Sequence, residues 1–464
     1  MLPGGSPKED IMAYDYLLLD RKSSVPLYRQ LYLSIRGAAE RGLLKAGGRL
    51  PSVRRMAADL GLSCTTVEGA YQQLCVEGYL RSSPHRGYFV QDVRRDSPAP
   101  AAPPAFRHRA EPAVRYNFGS DCVDSENIGL KAWRRNIRSA LNRRGVLASY
   151  GEKQGETELR EALAVYGYEM RGLAAAPEQI VVGAGTQPLL VLLCGLLNGG
   201  PRAVAMEEPG FRQAEQIFSD CGYTVRKLPG DEEGIRMDAL KASGAKLLYV
   251  SPSNRARTGA VLPMSRRLEL LGWAKACGGF VIEDDYNGEL RYRARPVPAM
   301  QGIAGGYGVV YLGSFSKLLL PSVRIGYMVL PPELLARYRP RAANYNQTAS
   351  KMEQLALAAY IRSGQMARHL RRLRKLYGAK SGALVRALRA AFPGARILLQ
   401  ETPLTVILTL RTRKTARELC RLALAQGVRV QPDESGGIRL GFAGIPLDDI
   451  PAAVACLKKA WRGC

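Results

Sequence analysis

The chain has 464 residues, 46% apolar and 23% charged, with a formal net charge of +26; that balance suits a soluble globular protein with a polyanionic partner. Its longest apolar stretches, such as Pro188–Leu197, fall short of the roughly 20 residues that cross a membrane. Charged Lys8, Glu9 and Asp10 precede any apolar run, so neither an anchor nor a leader is expected, and the expected location is the cytoplasm. Nine scattered cysteines without a C-x-x-C pair, and three isolated histidines (His85, His108, His369), argue against a disulfide framework, a metal centre and a hydrolase triad.

In chain order, Leu27, Leu31, Ile35 and Ala38 recur at helical spacing, and Gly42 ends that helix. Pro51 suits the first turn of a second helix, Gly61 permits a sharp turn, and Ser63 caps a third helix bearing Val67, Ala70, Tyr71 and Leu74. Two short helices around a tight turn form a helix-turn-helix. Gly78–Arg81 and Gly87–Val90 then read as strands flanking a basic wing, S-S-P-H-R. Duplex DNA fits this pattern. Ser52, Ser63, Thr65 and Thr66 offer short hydroxyls to phosphates or bases, Arg54 faces phosphate, and His85 and Arg86 reach the adjacent groove.

The segment S-P-A-P-A-A-P-P-A (Ser97–Ala105) reads as a semi-extended linker. The expected organisation is therefore a winged helix-turn-helix over 1–91, a linker over 92–112 and a large domain over 113–464. In the large domain, short apolar runs (Ile180–Val182, Ala203–Met206, Lys246–Val250, Phe280–Ile282, Val309–Leu312, Tyr327–Leu330) alternate with helical patterns. That alternation predicts an α/β fold with a mostly parallel sheet. Thr405–Leu410 and Arg439–Phe442, with helices between, predict a smaller α+β C-terminal subdomain. Arg368, Arg371, Arg372, Arg374 and Lys375 interleave with Leu370, Leu373 and Leu376 and read as a solvated helix face rather than a second nucleic-acid surface.

Four segments of the large domain suggest a cofactor site. Y-L-G-S-F-S-K (Tyr311–Lys317) places a lysine after a strand and two hydroxyls, the arrangement a Schiff base to pyridoxal 5′-phosphate needs. Lys317 would form the bond, while Ser314, Ser316 and Arg324 would hold the phosphate. V-I-E-D-D-Y (Val281–Tyr286) ends a strand in carboxylates; Asp284 would keep the pyridine nitrogen protonated and Tyr286 would donate to the phenolic oxygen. V-V-G-A-G-T-Q (Val181–Gln187) is a strand, turn and helix start, offering Gly185, Thr186 and Gln187 to phosphate. E-E-P-G-F (Glu207–Phe211) brings an aromatic ring to stack on the pyridine.

The first of these units resembles the GntR-type winged helix through G-x-R-L-P-S-x-R-x-M-A-x-x-L-G-L-S and T-V-x-x-A-Y-x-x-L-x-x-E-G-Y-L. The second is similar to the fold-type I aminotransferases, and the whole chain resembles the MocR-type regulators that join the two. The resemblance implies that Lys317 is the Schiff-base lysine, Arg439 the grip on a ligand carboxylate, and Tyr150 a contact to the phosphate of a neighbouring subunit in a homodimer. It further implies a regulator whose amino-compound effector exchanges with Lys317 to form an external aldimine; the alternatives are a working aminotransferase with a DNA-binding module, or a sensor of the coenzyme alone. V-S-P-S-N-R-A-R-T-G (Val250–Gly259) departs from the family's T-P-S-H-Q-x-P-T-G; either Arg255 and Arg257 add positive charge near the cofactor and favour a more acidic ligand, or the segment is drift in a tolerant loop.

Overall fold

The computed structural model describes residues 14, 16–93, 113–119, 122–127, 129–143, 145, 148–200, 202–255, 258–294, 296–400 and 404–462. Most of the expected linker, together with Ala256 and Arg257, lies outside the described residues. The chain divides into two compact units, Met1–Arg109 and Ala110–Cys464.

In the small unit, helices Leu27–Glu40, Val53–Leu60 and Cys64–Val76 precede a hairpin of Leu80–Ser83 and Gly87–Val90. The hairpin is antiparallel, with Leu80 opposite Val90 and Ser83 opposite Gly87. Leu31, Ile35, Met56, Val67, Tyr71, Leu74, Leu80 and Val90 form one buried core. Pro51 lies outside the second helix, contrary to the expectation. Ser52 is the N-cap, accepting from the Arg55 amide, and a proline just before a cap cannot extend the helix backwards. Gly61 closes that helix in the left-handed region (φ 60°), and Ser63 opens the next by accepting from the Thr66 amide.

The large unit is built on an eight-stranded sheet, in spatial order Ile180–Gly183, Gly326–Val329, Val309–Ser314, Phe280–Asp285, Leu247–Val250, Ala203–Glu208, Thr224–Asp231 and Gly234–Ile235. The four pairings from Val309–Ser314 to Thr224–Asp231 are parallel. Gly326–Val329 runs antiparallel to both neighbours, and the Gly234–Ile235 edge is also antiparallel, so the sheet is mixed. Side chains alternate between two buried layers. Val204, Met206, Leu247 and Tyr249 pack on one side, and Ala205, Leu248 and Val250 on the other. This is why the strands read as continuous apolar runs.

The C-terminal subdomain is an antiparallel sheet of Arg396–Gln400, Thr405–Thr409, Ile438–Gly441 and Gln431–Pro432, with helix Ala416–Ala425 between strands. A 27-residue helix, Gln365–Ala391, leads into it. Its buried stripe includes His369, Leu370, Leu373 and Tyr377. His369 packs against the backbone of Leu318, Arg374 Nε donates to the Glu289 carbonyl at 2.7 Å, and Lys380 Nζ donates to Asp124 at 2.5 Å and to the Ala443 carbonyl at 2.8 Å.

Candidate cofactor site and DNA-facing helix

Strand register brings the sequence-selected residues of the large unit to one edge. Ser314 pairs with Gly326, and Gly326 with Gly183, in one row; Asp284 lies beside Leu312. Because Gly326–Val329 runs antiparallel, Arg324, two residues before it, emerges at the same edge as Gly185 and Ser316, where the parallel strands end. That edge is where open α/β sheets take their ligands.

Gly185 is the N-cap of helix Thr186–Leu197 and holds φ 90°. A Cβ there would stand 3.0 Å from Arg324 Nη2, so the small residue admits the guanidinium to the helix start. Arg324 itself adopts φ 49° and is exposed. Thr186 is half-buried, and Gln187 is exposed and donates at 3.1 Å to Oε1 of Gln213, the second residue of helix Arg212–Asp220, which Phe211 precedes as N-cap. Phe211 is 37% exposed. Ser314 and Ser316 hydroxyls lie 3.3 Å apart. A helix N-terminus, a guanidinium and two hydroxyls together suit a dianion.

Lys317, half-buried in the following turn, places Nζ 5.5 Å from the centre of the Tyr286 ring. Asp284 is buried and accepts a hydrogen bond from the Tyr249 hydroxyl. Burial raises its carboxyl to about 6, against which the Tyr249 hydrogen bond acts. Next to it, buried Asp285 is paired with buried Arg171, whose Nη2 also donates to Ser253 Oγ at 2.6 Å. Tyr311 donates to Asp285 at 2.7 Å. Arg171 therefore neutralises Asp285 and leaves Asp284 as the carboxylate available to an incoming cation. A buried acid lacking a cationic partner among the described residues, a lysine and an anion cradle on one strand edge fit pyridoxal phosphate. Asn254 Oδ1, in the loop that carries Ser253, is buried without a hydrogen-bond partner among the described residues and adds an acceptor of the kind a polar ligand would satisfy.

Three residues behave differently from expectation or were not foreseen. Arg255 adds no free charge to the site: it is 1% exposed and is held by Glu207 at 3.3 Å and by the carbonyls of Asp231 and Glu232. A buried guanidinium needs such partners. Tyr249 and Arg171 were missed, since a tyrosine within a strand and an arginine ending a helix carry no local signal. Arg439, on the Ile438–Gly441 strand, donates through Nη2 to Asp433 Oδ1 at 2.5 Å. Tyr150 is 96% exposed.

In the small unit, Ser52 Oγ and Ser63 Oγ are committed to capping. Ser63 also lies 2.9 Å from the Thr65 hydroxyl and 2.7 Å from that of Thr66. Arg54, His85 and Arg86 are exposed, with His85 at φ 59° in the wing turn.

The model of the bacterial regulatory proteins of the gntR family matches residues 27–90, and that of the class I and II aminotransferases matches residues 117–457. An uncharacterized HTH-type transcriptional regulator of Bacillus subtilis, YdeL, is 36% identical over 96% of this chain and 98% of its own. The probable rhizopine catabolism regulatory protein MocR of Rhizobium meliloti is 33% identical over 96% of both chains. Among solved structures, the α-aminoadipate aminotransferase LysN of Thermus thermophilus, complexed with N-(5′-phosphopyridoxyl)-L-leucine, aligns with a TM-score of 0.66 at 26% identity, over 75% of this chain and 92% of its own. Among the described residues no helix is long and apolar enough to cross a membrane. With an aminotransferase fold following a GntR-type winged helix, the chain belongs to the MocR-type regulators.

Proposed function

We propose that this protein is a DNA-binding transcription regulator whose large domain, residues 113–464, carries pyridoxal phosphate on Lys317 and responds to an amino compound. The observation that carries the reading is the convergence of Lys317, Asp284, Gly185 and Arg324 on one sheet edge. The coenzyme supplies an aldehyde that condenses reversibly with primary amines.

Around it the chain's own groups have separate tasks. Lys317 Nζ presents the amine, held over the face of Tyr286. Asp284, buried and relieved of Arg171 by Asp285, retains a proton on the opposing ring nitrogen, and Tyr286 donates to the phenolic oxygen. The amides at Gly185, Thr186 and Gln187, with Ser314, Ser316 and Arg324, bind the phosphate, and Phe211 covers a ring face. Arg439 anchors a carboxylate of the effector. The exposure of Tyr150 supports a homodimer in which it completes the partner's phosphate cradle. In the small unit Arg54, Thr65, Thr66, His85 and Arg86 contact the duplex, with Ser52 and Ser63 ordering the helix starts that present them. The site of action is the cytoplasm.

Purified protein incubated with the coenzyme should show a visible absorbance band that shifts on adding a suitable amino acid. Lys317→Ala should abolish the band; its survival would remove Lys317 from the reading. Turnover of an amino donor and keto acid at ordinary enzyme rates would instead favour the aminotransferase alternative.

A further inference from the structure

Of the excess positive charge, only five units fall in residues 1–95, where 14 basic residues face 9 acidic ones. The rest lies beyond residue 95, and one part of it forms a dense run on a single helix. Arg368, Arg371, Arg372 and Lys375 occupy positions i, i+3, i+4 and i+7 of helix Gln365–Ala391 and are all exposed, so they form a single stripe. Arg135, from helix Leu130–Leu141, faces them across a groove of about 620 Å³ that Tyr360 also lines.

Two features separate this groove from an ordinary solvated helix face. None of its five cations has a carboxylate partner among the described residues; Arg362 nearby, by contrast, is tied to Glu161 at 2.6 Å and to Glu158 at 3.9 Å. Like charges at such spacing repel one another by a few tenths of a kcal/mol per pair, a standing cost that an external anion removes. Beneath the cations, fully buried Tyr360 closes the inner wall, so the stripe borders a formed cleft rather than a bare helix face.

We infer that this groove binds the phosphate backbone of duplex DNA, as a second contact surface separate from the winged helix. The ligand class follows from the geometry. Seven residues of helix rise about 10 Å, the axial length of duplex over which each strand presents about three phosphates. An extended row of cations suits a repeating polyanion better than a compact one, which would engage two or three converging groups. The contact carries no base readout, because Arg and Lys on phosphate fix position and not sequence. This goes beyond the cofactor reading and does not depend on it.

The test uses the full chain and a fluorescent 60-base-pair duplex of mixed sequence, with affinity measured across a salt series. Arg368→Gln/Arg371→Gln/Arg372→Gln/Lys375→Gln should weaken binding at least tenfold and reduce the log–log salt slope by about 3, at roughly 0.9 for each phosphate no longer neutralised. A control that removes the same charge elsewhere, Lys241→Gln/Lys458→Gln/Lys459→Gln/Arg462→Gln, should stay within twofold of wild type; equal weakening in both would mean net charge alone and would overturn the groove. An unchanged slope in the groove variant would overturn it too, as would tripolyphosphate protecting wild type but not the variant against heating while both bind DNA alike. Arg54→Ala measured in parallel reports on the winged helix, so failure of one surface is distinguishable from failure of the other. Circular dichroism of each variant confirms that it is folded.

Discussion

Arg439 Nη2 donates to Asp433 Oδ1 at 2.5 Å, so the guanidinium assigned to grip a ligand carboxylate already holds an anion from its own chain. Asp433 is nearly buried, and Arg439 is about a quarter exposed. Both Ser435 and Arg439 hold the Asp433 carboxyl below its ordinary value despite its burial, so it is charged at neutral pH. A carboxylate ligand must therefore displace or share Asp433. Asp433→Asn should tighten binding of alanine several-fold and leave ethylamine, which lacks the carboxylate, unaffected. Titration of the coenzyme absorbance with each amine measures both. Equal changes for the two would show that Asp433 does not act through Arg439.

Asp284 gives a prediction with a defined sign. Its carboxyl titrates at about 6 in the folded protein and near 4 when unfolded. Between those values the unfolded chain ionises first, so without coenzyme stability falls as pH rises from about 4 to about 6 and is flat for this group above that. Asp284→Asn removes this loss. Relative to wild type, the coenzyme-free variant should gain up to about 3 kcal/mol across that window, read by chemical denaturation at several pH values. With coenzyme the order should reverse, because the variant cannot hold the ring-nitrogen proton. A pH-independent difference would mean that Asp284 is not the titrating group.

Arg324 joins a cation to a strained backbone, since its φ of 49° costs an L-residue about 1–2 kcal/mol. Arg324→Ala keeps the strain and loses the charge, whereas Arg324→Gly loses both. The glycine variant should be the more stable of the two by about 1 kcal/mol, and the two should bind the coenzyme equally and more weakly than wild type. Thermal melts and absorbance titrations separate these effects; equal stability would show that the backbone is relaxed at this position.

In the winged helix, capping and contact separate by residue. Ser63→Ala should cost about 1 kcal/mol of stability through loss of the cap, so weakened DNA binding in that variant has a folding component. Arg54 is exposed and supports no cap, and Arg54→Ala should leave stability unchanged while lowering the salt slope of DNA binding by about 1. An unaltered slope would exclude Arg54 from phosphate contact.

What could be read from the sequence followed from how local the causes were. Ser63 and Gly61 announce helix ends because capping depends on a few adjacent residues, and six strands stand out as apolar runs because both of their faces are covered. Thr224–Asp231 was not foreseen: it lies near the sheet edge, holds exposed lysine and arginine, and contains Pro229. The order of Lys317, Asp284 and Gly185 along the chain suggested a site, but the antiparallel insertion of Gly326–Val329 that delivers Arg324 to it depends on long-range pairing. The same holds for Arg171 with Asp285 and Asp433 with Arg439, whose partners are set by the fold.

The 27-residue helix Gln365–Ala391 is about 40 Å long at 1.5 Å per residue, and its hold on the rest of the large unit has a mechanical consequence. His369 rests on Leu318, the residue after Lys317; Arg374 grips the carbonyl of Glu289, a few residues beyond Asp284; Lys380 holds the Ala443 carbonyl, at the end of the Arg439 strand. A continuous helix stretches little along its axis, so these three points are held at set spacings on one element.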